Sequence, residues 1–405
     1  MIHLRGVTTL ENEVVDLSLP STEERSLDAH GLTLLPALID PHVHFRTPGL
    51  EHKENWETAA RAAIQGGITT VFDMPNTIPP TITLERVLAK EALIDQQLHH
   101  VKIPLHYGLY LGADKNHFDE IARCKRHVLA IKVFMGSSTG DLVMDDEPSL
   151  HTVFQLAAQH DLLVAVHAED EAMIQERKKL FQHEVHPRLH SQIRNDEVAL
   201  KATQLAIELA RLYKTRLYLL HIGTKKEVAA IKKAKEEGVA VFAETTPHHL
   251  FLTTEAYETL GTKVQMNPPI RSKEDVQALW EALADGTIDT IGSDHAPHTL
   301  AEKAQAYGKA PSGIPGVETT LPLLLNACNQ KRLSLAMIVS LMRTKILDIF
   351  RLSENNDYVL VDMHKKKTLA DHQLKTKCGW SPYSGMTLQG WPVMTLLGGT
   401  LYELN

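Results

Sequence analysis

Leu34-Leu35-Pro36-Ala37-Leu38-Ile39-Asp40-Pro41-His42-Val43-His44-Phe45-Arg46 leads from an apolar run directly into two histidines spaced two apart. A strand covered on both faces reads as an unbroken apolar run, as in a parallel sheet. On a strand, side chains at i and i+2 point the same way. His42 and His44 can therefore hold one metal ion side by side, and Arg46 follows on that face if the strand continues.

Working outward, seven more short apolar runs follow the one at 34–40. They lie at 69–74, 104–111, 130–135, 163–167, 217–221, 239–244 and 287–294. Helical patterns separate most of them, at 55–65, 84–97, 150–159, 196–212 and 226–237. Eight strand–helix units predict an α/β fold, a (β/α)8 barrel of the TIM type spanning 37–354. Residues 1–36 and 355–405 differ. They carry short alternating β segments, punctuated near the end by Gly379, Gly385, Gly390, Gly398 and Gly399. These two pieces predict one small β-sandwich formed by both chain termini.

In such a barrel the active site sits at the C-terminal ends of the strands, so the last residue of each run is the one to read. Run one ends in His42 and His44. Run two leads into Met74-Pro75-Asn76-Thr77. Run four holds Lys132, run five ends in His167, run six in His221, and run eight in Asp294, followed by His295 and His298. A lone histidine at a strand end is more often hydrogen-bonded structure than a ligand. Four of them with an aspartate at one rim are harder to assign to chance. Lysine is rarely buried, yet Lys132 lies inside an apolar run; its bland reading is a salt-bridged structural lysine.

Bulk properties narrow the class. The chain has 405 residues, 43% hydrophobic and 23% charged, with a formal charge of -8. That balance argues against a nucleic-acid partner, which needs a basic face. No apolar run reaches the roughly 18 residues of a membrane span, so no membrane partner is expected. The three cysteines, Cys124, Cys328 and Cys378, are far apart and fit a reducing, cytoplasmic setting. The cluster Lys225 to Lys233 alternates with Glu227, Glu236 and Glu237, as on a solvated helix face.

The residue set suits metal-assisted hydrolysis. Two divalent ions about 3.5–4 Å apart activate water and polarise a carbonyl, and zinc takes imidazole and carboxylate ligands. An ammonium has no lone pair and cannot bridge cations. A lysine carboxylated by carbon dioxide can, and an apolar surrounding favours the neutral amine that must form first. Asp294 can take a proton from water and return it to a leaving nitrogen.

Residues 40–46 (DPHVHFR), 63–69 (AIQGGIT), 74–77 (MPNT), 131–136 (IKVFMG), 246–250 (TPHHL), 267–271 (NPPIR), 292–298 (GSDHAPH) and 313–319 (GIPGVET) together resemble the amidohydrolase superfamily and, within it, the dihydroorotase family. The resemblance covers nearly the whole chain. It implies that His42, His44, Lys132, His167, His221 and Asp294 are metal ligands, with carboxylated Lys132 bridging two zinc ions. Asp294 is also the implied general acid/base. His44, Arg46, Asn76, Asn267, His298 and backbone around Gly313 are the implied substrate contacts. The implied reaction is the reversible cyclisation of N-carbamoyl-L-aspartate to L-dihydroorotate in pyrimidine biosynthesis. Related barrels acting on allantoin or hydropyrimidines carry a similar cage. An inactive barrel serving as assembly partner of aspartate transcarbamoylase is the alternative of another class, though no cage residue is missing here. A homodimer is the expected self-association. Asp141, Asp145 and Asp146 are alternative carboxylate donors, or solvated loop charges. His248 and His249 are expected in a structural role, and 299–312 as a loop over the site.

Overall fold

A computed structural model describes residues 1–137 and 142–404. The chain opens with β1 (Ile2–Thr8), β2 (Val14–Leu19), β3 (Arg25–Asp28) and β4 (Thr33–Pro36). Eight strands follow: β5 (Leu38–Val43), β6 (Ile68–Asp73), β7 (His106–Gly112), β8 (Ala130–Phe134), β9 (Leu163–His167), β10 (Leu217–Leu219), β11 (Val241–Thr245) and β12 (Thr290–Ile291). The chain ends with β13 (Tyr358–Thr368), β14 (Thr387–Leu397) and β15 (Thr400–Glu403).

Strands β5 to β12 pair in parallel and in chain order. The last, β12, is only two residues long, so the cylinder closes largely beyond it. Val43 bridges His295, the His44 N–H donates to the His295 carbonyl at 2.8 Å, and the Ser293 N–H donates to Asp40 Oδ1 at 3.0 Å. Closure thus falls at the rim that carries the histidines. The barrel interior is packed, as expected for eight strands. Phe72, Tyr110 and Tyr218 point inward and meet Phe350 of the helix Lys345–Phe350, with ring centroids 4.8, 6.3 and 5.3 Å apart. That plug fills the lower end and leaves the upper rim for polar side chains.

The first apolar run is two strands, not one. Thr33–Pro36 pairs with β1 and β13 in the terminal sheet, whereas Leu38–Val43 enters the barrel. Ala37 is the hand-over: its N–H donates to the Asp357 carbonyl at 2.9 Å, and the Leu38 N–H to the Gly67 carbonyl at 3.1 Å. Both halves are buried, so hydropathy runs through the junction unchanged. The terminal sheet has seven strands in the order β15-β14-β13-β4-β1-β2, with β3 paired to β1. It therefore draws strands from both chain ends. Ile2, Leu4, Val7, Leu34, Leu360 and Leu396 pack beneath it.

Residues 299–312 are better anchored than a loop reading suggests. Thr299 and Glu302 form a capping box that starts the helix Leu300–Lys303. Lys303 is buried, and its Nζ donates to the carbonyls of Gln265 and Pro311, each at 2.9 Å.

Candidate active site

The strand register places the polar side chains at one rim. His42 is in β5 and His44 one residue beyond it; Lys132 is central in β8; His167 ends β9. His221 lies two residues past β10 and Asp294 three past β12. All six are buried. They line one cleft with Arg46, Asn76, Phe134, Asn267, Ala296, Ser312 and Gly313. Arg46, His221 and Asp294 have φ of 64°, 42° and 45°. Non-glycine residues in that region cost on the order of 1–3 kcal/mol each and gather at functional sites.

The four imidazoles form a contiguous row. Ring centroids are 5.3 Å apart for His44–His42, 5.4 Å for His42–His221 and 4.8 Å for His221–His167. Asp294 Oδ1 lies 3.1 Å from His44 Nε2 and 3.3 Å from His42 Nε2. At the other end, His167 Nδ1 is 2.9 Å from His221 Nε2.

A cation fits these donors better than a proton does. His42 Nδ1 lies 2.8 Å from Glu244 Oε1, and His44 Nδ1 lies 2.7 Å from Asn76 Oδ1. Both partners are acceptors, so each Nδ1 carries the hydrogen and each Nε2 presents a lone pair. Those lone pairs face a carboxylate oxygen, and the three ligand atoms all lie within 4.8 Å of one another. A divalent ion reconciles them. Burial also pushes the His44 pKa down to about 3 and that of His221 well below its usual value, which keeps the rings neutral and able to ligate. Burial alone would raise the Asp294 pKa, whereas positive charge at the His42 and His44 edge lowers it; with the rings neutral, that charge is what a divalent ion would supply.

Lys132 is buried, 4.5 Å from the Phe134 ring centroid, with no carboxylate in ion-pair reach among the described residues. Burial pushes its pKa down to about 7, only partly opposed by Asp294 and Glu244. A neutral amine is thus accessible near neutral pH. The salt-bridged reading of Lys132 has no partner to support it.

Behind the rim histidines stand groups that the strand-end reading missed. Glu244, in β11, receives the Tyr218 hydroxyl at 3.0 Å and the His221 N–H at 3.2 Å, besides orienting His42. Glu169 faces His167 Nε2 at 2.9 Å and pairs with Arg194. Burial would raise the Glu169 pKa, yet Arg194 and His167 bring it down to about 2. Such partners fix ligand tautomers and tune metal affinity. Their signal was present: Glu244 sits in the seventh run, and Glu169 two residues after His167. Replacing Glu244 with Gln is expected to weaken metal affinity about 10- to 100-fold, read by competition with a chelating dye.

The substrate candidates divide. Arg46 is buried; its Nε donates to the Pro297 carbonyl at 3.1 Å, while Nη1 is buried without a partner among the described residues. Burial lowers its pKa to about 10, partly offset by Asp294 and Asp73, so it stays charged at neutral pH. Asn267 Oδ1 accepts from His190 Nε2 at 2.7 Å, which fixes the amide orientation. Gly313 has φ of 140°, and a Cβ there would lie 2.5 Å from the Ala296 carbonyl, so the close approach requires glycine. His298 is not among the lining side chains. It lies behind Arg46, between Ser312 and Lys53.

Other candidates lie elsewhere. Asp145 and Asp146 are on the surface, 3.0 and 2.8 Å from Lys115 Nζ, and Asp146 caps the helix Glu147–Gln159. Asp141 lies outside the described residues. His249 bonds Thr246 Oγ1 at 2.9 Å, in keeping with a structural role.

The barrel and its rim of histidines and aspartate define a metal-binding amidohydrolase. The amidohydrolase family model matches residues 33–348, and the chain belongs to that family. It is 37% identical over 378 residues to the dihydroorotase of Halobacterium salinarum, covering 91% of this chain and 85% of that one. To the Bacillus cereus dihydroorotase it is 34% identical over 389 residues, covering 93% and 88%. Among solved structures, the L-hydantoinase (dihydropyrimidinase) from Arthrobacter aurescens superposes with a TM-score of 0.92 at 28% identity, covering 100% of this chain and 96% of that chain. No helix among the described residues is long and apolar enough to cross a membrane.

Proposed function

We propose that this chain is a dihydroorotase, a hydrolase that interconverts L-dihydroorotate and N-carbamoyl-L-aspartate in pyrimidine synthesis. The observation that carries the substrate is Arg46 Nη1: a buried guanidinium donor, unpartnered among the described residues, on a side chain lining the same cleft as the proposed metal ligands. A buried donor without an acceptor costs about 1–3 kcal/mol, which a ligand carboxylate removes. Dihydroorotate carries such a carboxylate and dihydrouracil does not. The relatives named dihydroorotase support the same reading, at 34–37% identity.

His42, His44, His167, His221 and Asp294 would hold two zinc ions, with Lys132, carboxylated, between them. When bound, the metals lower the pKa of water and polarise the amide carbonyl. The protein's own groups do the rest. Asp294 takes the proton from the attacking water and delivers it to the ring nitrogen as the C–N bond breaks; in the closing direction it acts in reverse. Arg46 and Asn76 orient the ring through its carboxylate, and Asn267 and the Gly313 backbone border the ring. Rigid burial of these groups limits the entropy lost in orienting the substrate.

Turnover of dihydroorotate by zinc-loaded protein tests the reading, with dihydrouracil and a hydantoin alongside. Preference for an uncarboxylated ring would favour the second reading, which the hydantoinase-like structures support. The Lys132 assignment carries a pH dependence. Below pH 7 the ammonium cannot add carbon dioxide; above it the free amine can. Reactivation of metal-stripped protein by zinc, at fixed dissolved carbon dioxide, should therefore rise as pH passes through about 7. A rate independent of carbon dioxide would contradict the carbamate. The same reading places the enzyme in the cytoplasm and carries a homodimer and an association with aspartate transcarbamoylase, both answered by sedimentation with and without the transcarbamoylase.

A further inference from the structure

Arg46 is surrounded by more positive charge than its own. Lys53 and Lys303 are buried nearby, and the acidic partner of Lys53 is Glu302, 3.0 Å from its Nζ. His298 is the junction of this group. Lys53 Nζ stands 3.1 Å from His298 Nδ1. On the opposite side of the ring, His298 Nε2 is 3.0 Å from the Ser312 carbonyl and 3.3 Å from Arg46 Nη2.

Donor and acceptor roles then follow from chemistry. Ammonium and guanidinium groups only donate. Nδ1 must accept from Lys53, so the ring hydrogen sits on Nε2 and goes to the Ser312 carbonyl. A doubly protonated ring would leave Lys53 facing a donor. Burial, with Arg46, Lys53 and Lys303 adding to it, holds the His298 pKa well below its usual value, consistent with a neutral ring. Arg46 Nη2 consequently meets an N–H edge rather than a lone pair.

We propose that Lys53 is a positioning residue for the substrate carboxylate: it locks His298 in the Nε2–H tautomer, so that the histidine cannot accept from Arg46 and the guanidinium's terminal donors stay available to an anion in the cleft. Lys53 is itself aimed. Thr299 N–H and Oγ1 donate to Glu302 Oε2, each at 2.9 Å, which leaves Oε1 for the lysine. Trp380 Nε1 donates to the His298 carbonyl at 2.7 Å and fixes the ring's base. Without the lysine donor, Nδ1 is free to take the hydrogen. Nε2 then becomes an acceptor, and Arg46 turns a donor inward.

The inference rests on the dihydroorotase reading for its substrate, but the tautomer lock does not. Protein labelled with ¹⁵N-histidine reports the His298 tautomer from its ring-nitrogen shifts, assigned with His298→Gln. Wild type and Lys53→Arg, which keeps a donor-only cation, should show the Nε2–H form. Lys53→Met should shift toward Nδ1–H. In Lys53→Met the KM for L-dihydroorotate should rise about tenfold, the worth of one charge-assisted hydrogen bond, with kcat and the KM for dihydrouracil little changed. Lys53→Arg should restore the KM. Should Lys53→Met fail to fold, Glu302→Gln, which releases the lysine, should give the same two changes. An unaltered tautomer in these variants, or equal KM changes for both substrates, would overturn the proposal. If wild type turns over neither substrate, the dihydroorotase reading fails, and the NMR result still decides the lock.

Discussion

Replacing Asp294 with asparagine should lower kcat for dihydroorotate hydrolysis by about three orders of magnitude, the middle of the range for a lost general acid/base. The side chain is buried and ionised, 3.1 and 3.3 Å from the Nε2 atoms of His44 and His42. Asparagine has nearly the same shape and retains an amide oxygen, so the fold and the imidazole row should survive. What it cannot do is accept a proton from water at neutral pH or pass one to a ring nitrogen. Metal content measured beside kcat separates the two roles. Four imidazoles remain, so the variant should retain much of its zinc while losing turnover. Near-normal kcat in the zinc-loaded variant would mean that another group moves the proton. Loss of all metal would make Asp294 chiefly a ligand.

The second large effect concerns recognition. Arg46→Met keeps most of the buried stem and removes the guanidinium, so packing changes little. Its KM for dihydroorotate should rise about 100-fold, or about 3 kcal/mol, the scale of two charge-assisted hydrogen bonds. Zinc content should not move, because a guanidinium only donates and has no lone pair for a cation. Dihydrouracil, lacking the carboxylate, should be turned over about as well as before. The selectivity between the two rings would then collapse in one substitution. An unchanged KM for dihydroorotate would remove Arg46 from substrate binding and undercut the choice of substrate.

The residues that line the rim were legible because a parallel barrel makes strand ends informative. His42, His44, His167, His221 and Asp294 were readable from where apolar runs stop, and Lys132 from its place inside one; the structure gathers them in one cleft. Side chains whose roles depend on packing between distant segments were harder to see. Glu244 serves His42 across 202 positions of sequence, and Lys53 meets His298 across 245. Glu244 closes the seventh apolar run, but nothing local ties it to His42, or Lys53 to His298. The first strand was misread for a different reason. Leu34-Leu35 and Leu38-Ile39 are buried alike, so one hydropathic run spans two sheets, and 34–40 was read as a single strand even though the chain was divided between 36 and 37. The anchoring of 299–312 was available and overlooked: Thr299 and Glu302 have the spacing of a capping box. His298 shows the limit of motif reading, since being near Asp294 in sequence did not determine which side of Arg46 it occupies.

Anomalous diffraction at the zinc edge, from crystals of the purified protein, decides whether these side chains hold a metal pair. The account predicts two peaks in the cleft: one bonded to Nε2 of His42 and His44 and to Asp294, the other to His167 and His221, with density for a carbamate on Lys132 between them. Zinc-replete crystals with no peak among these side chains, and Lys132 ending in a bare amine, would contradict it.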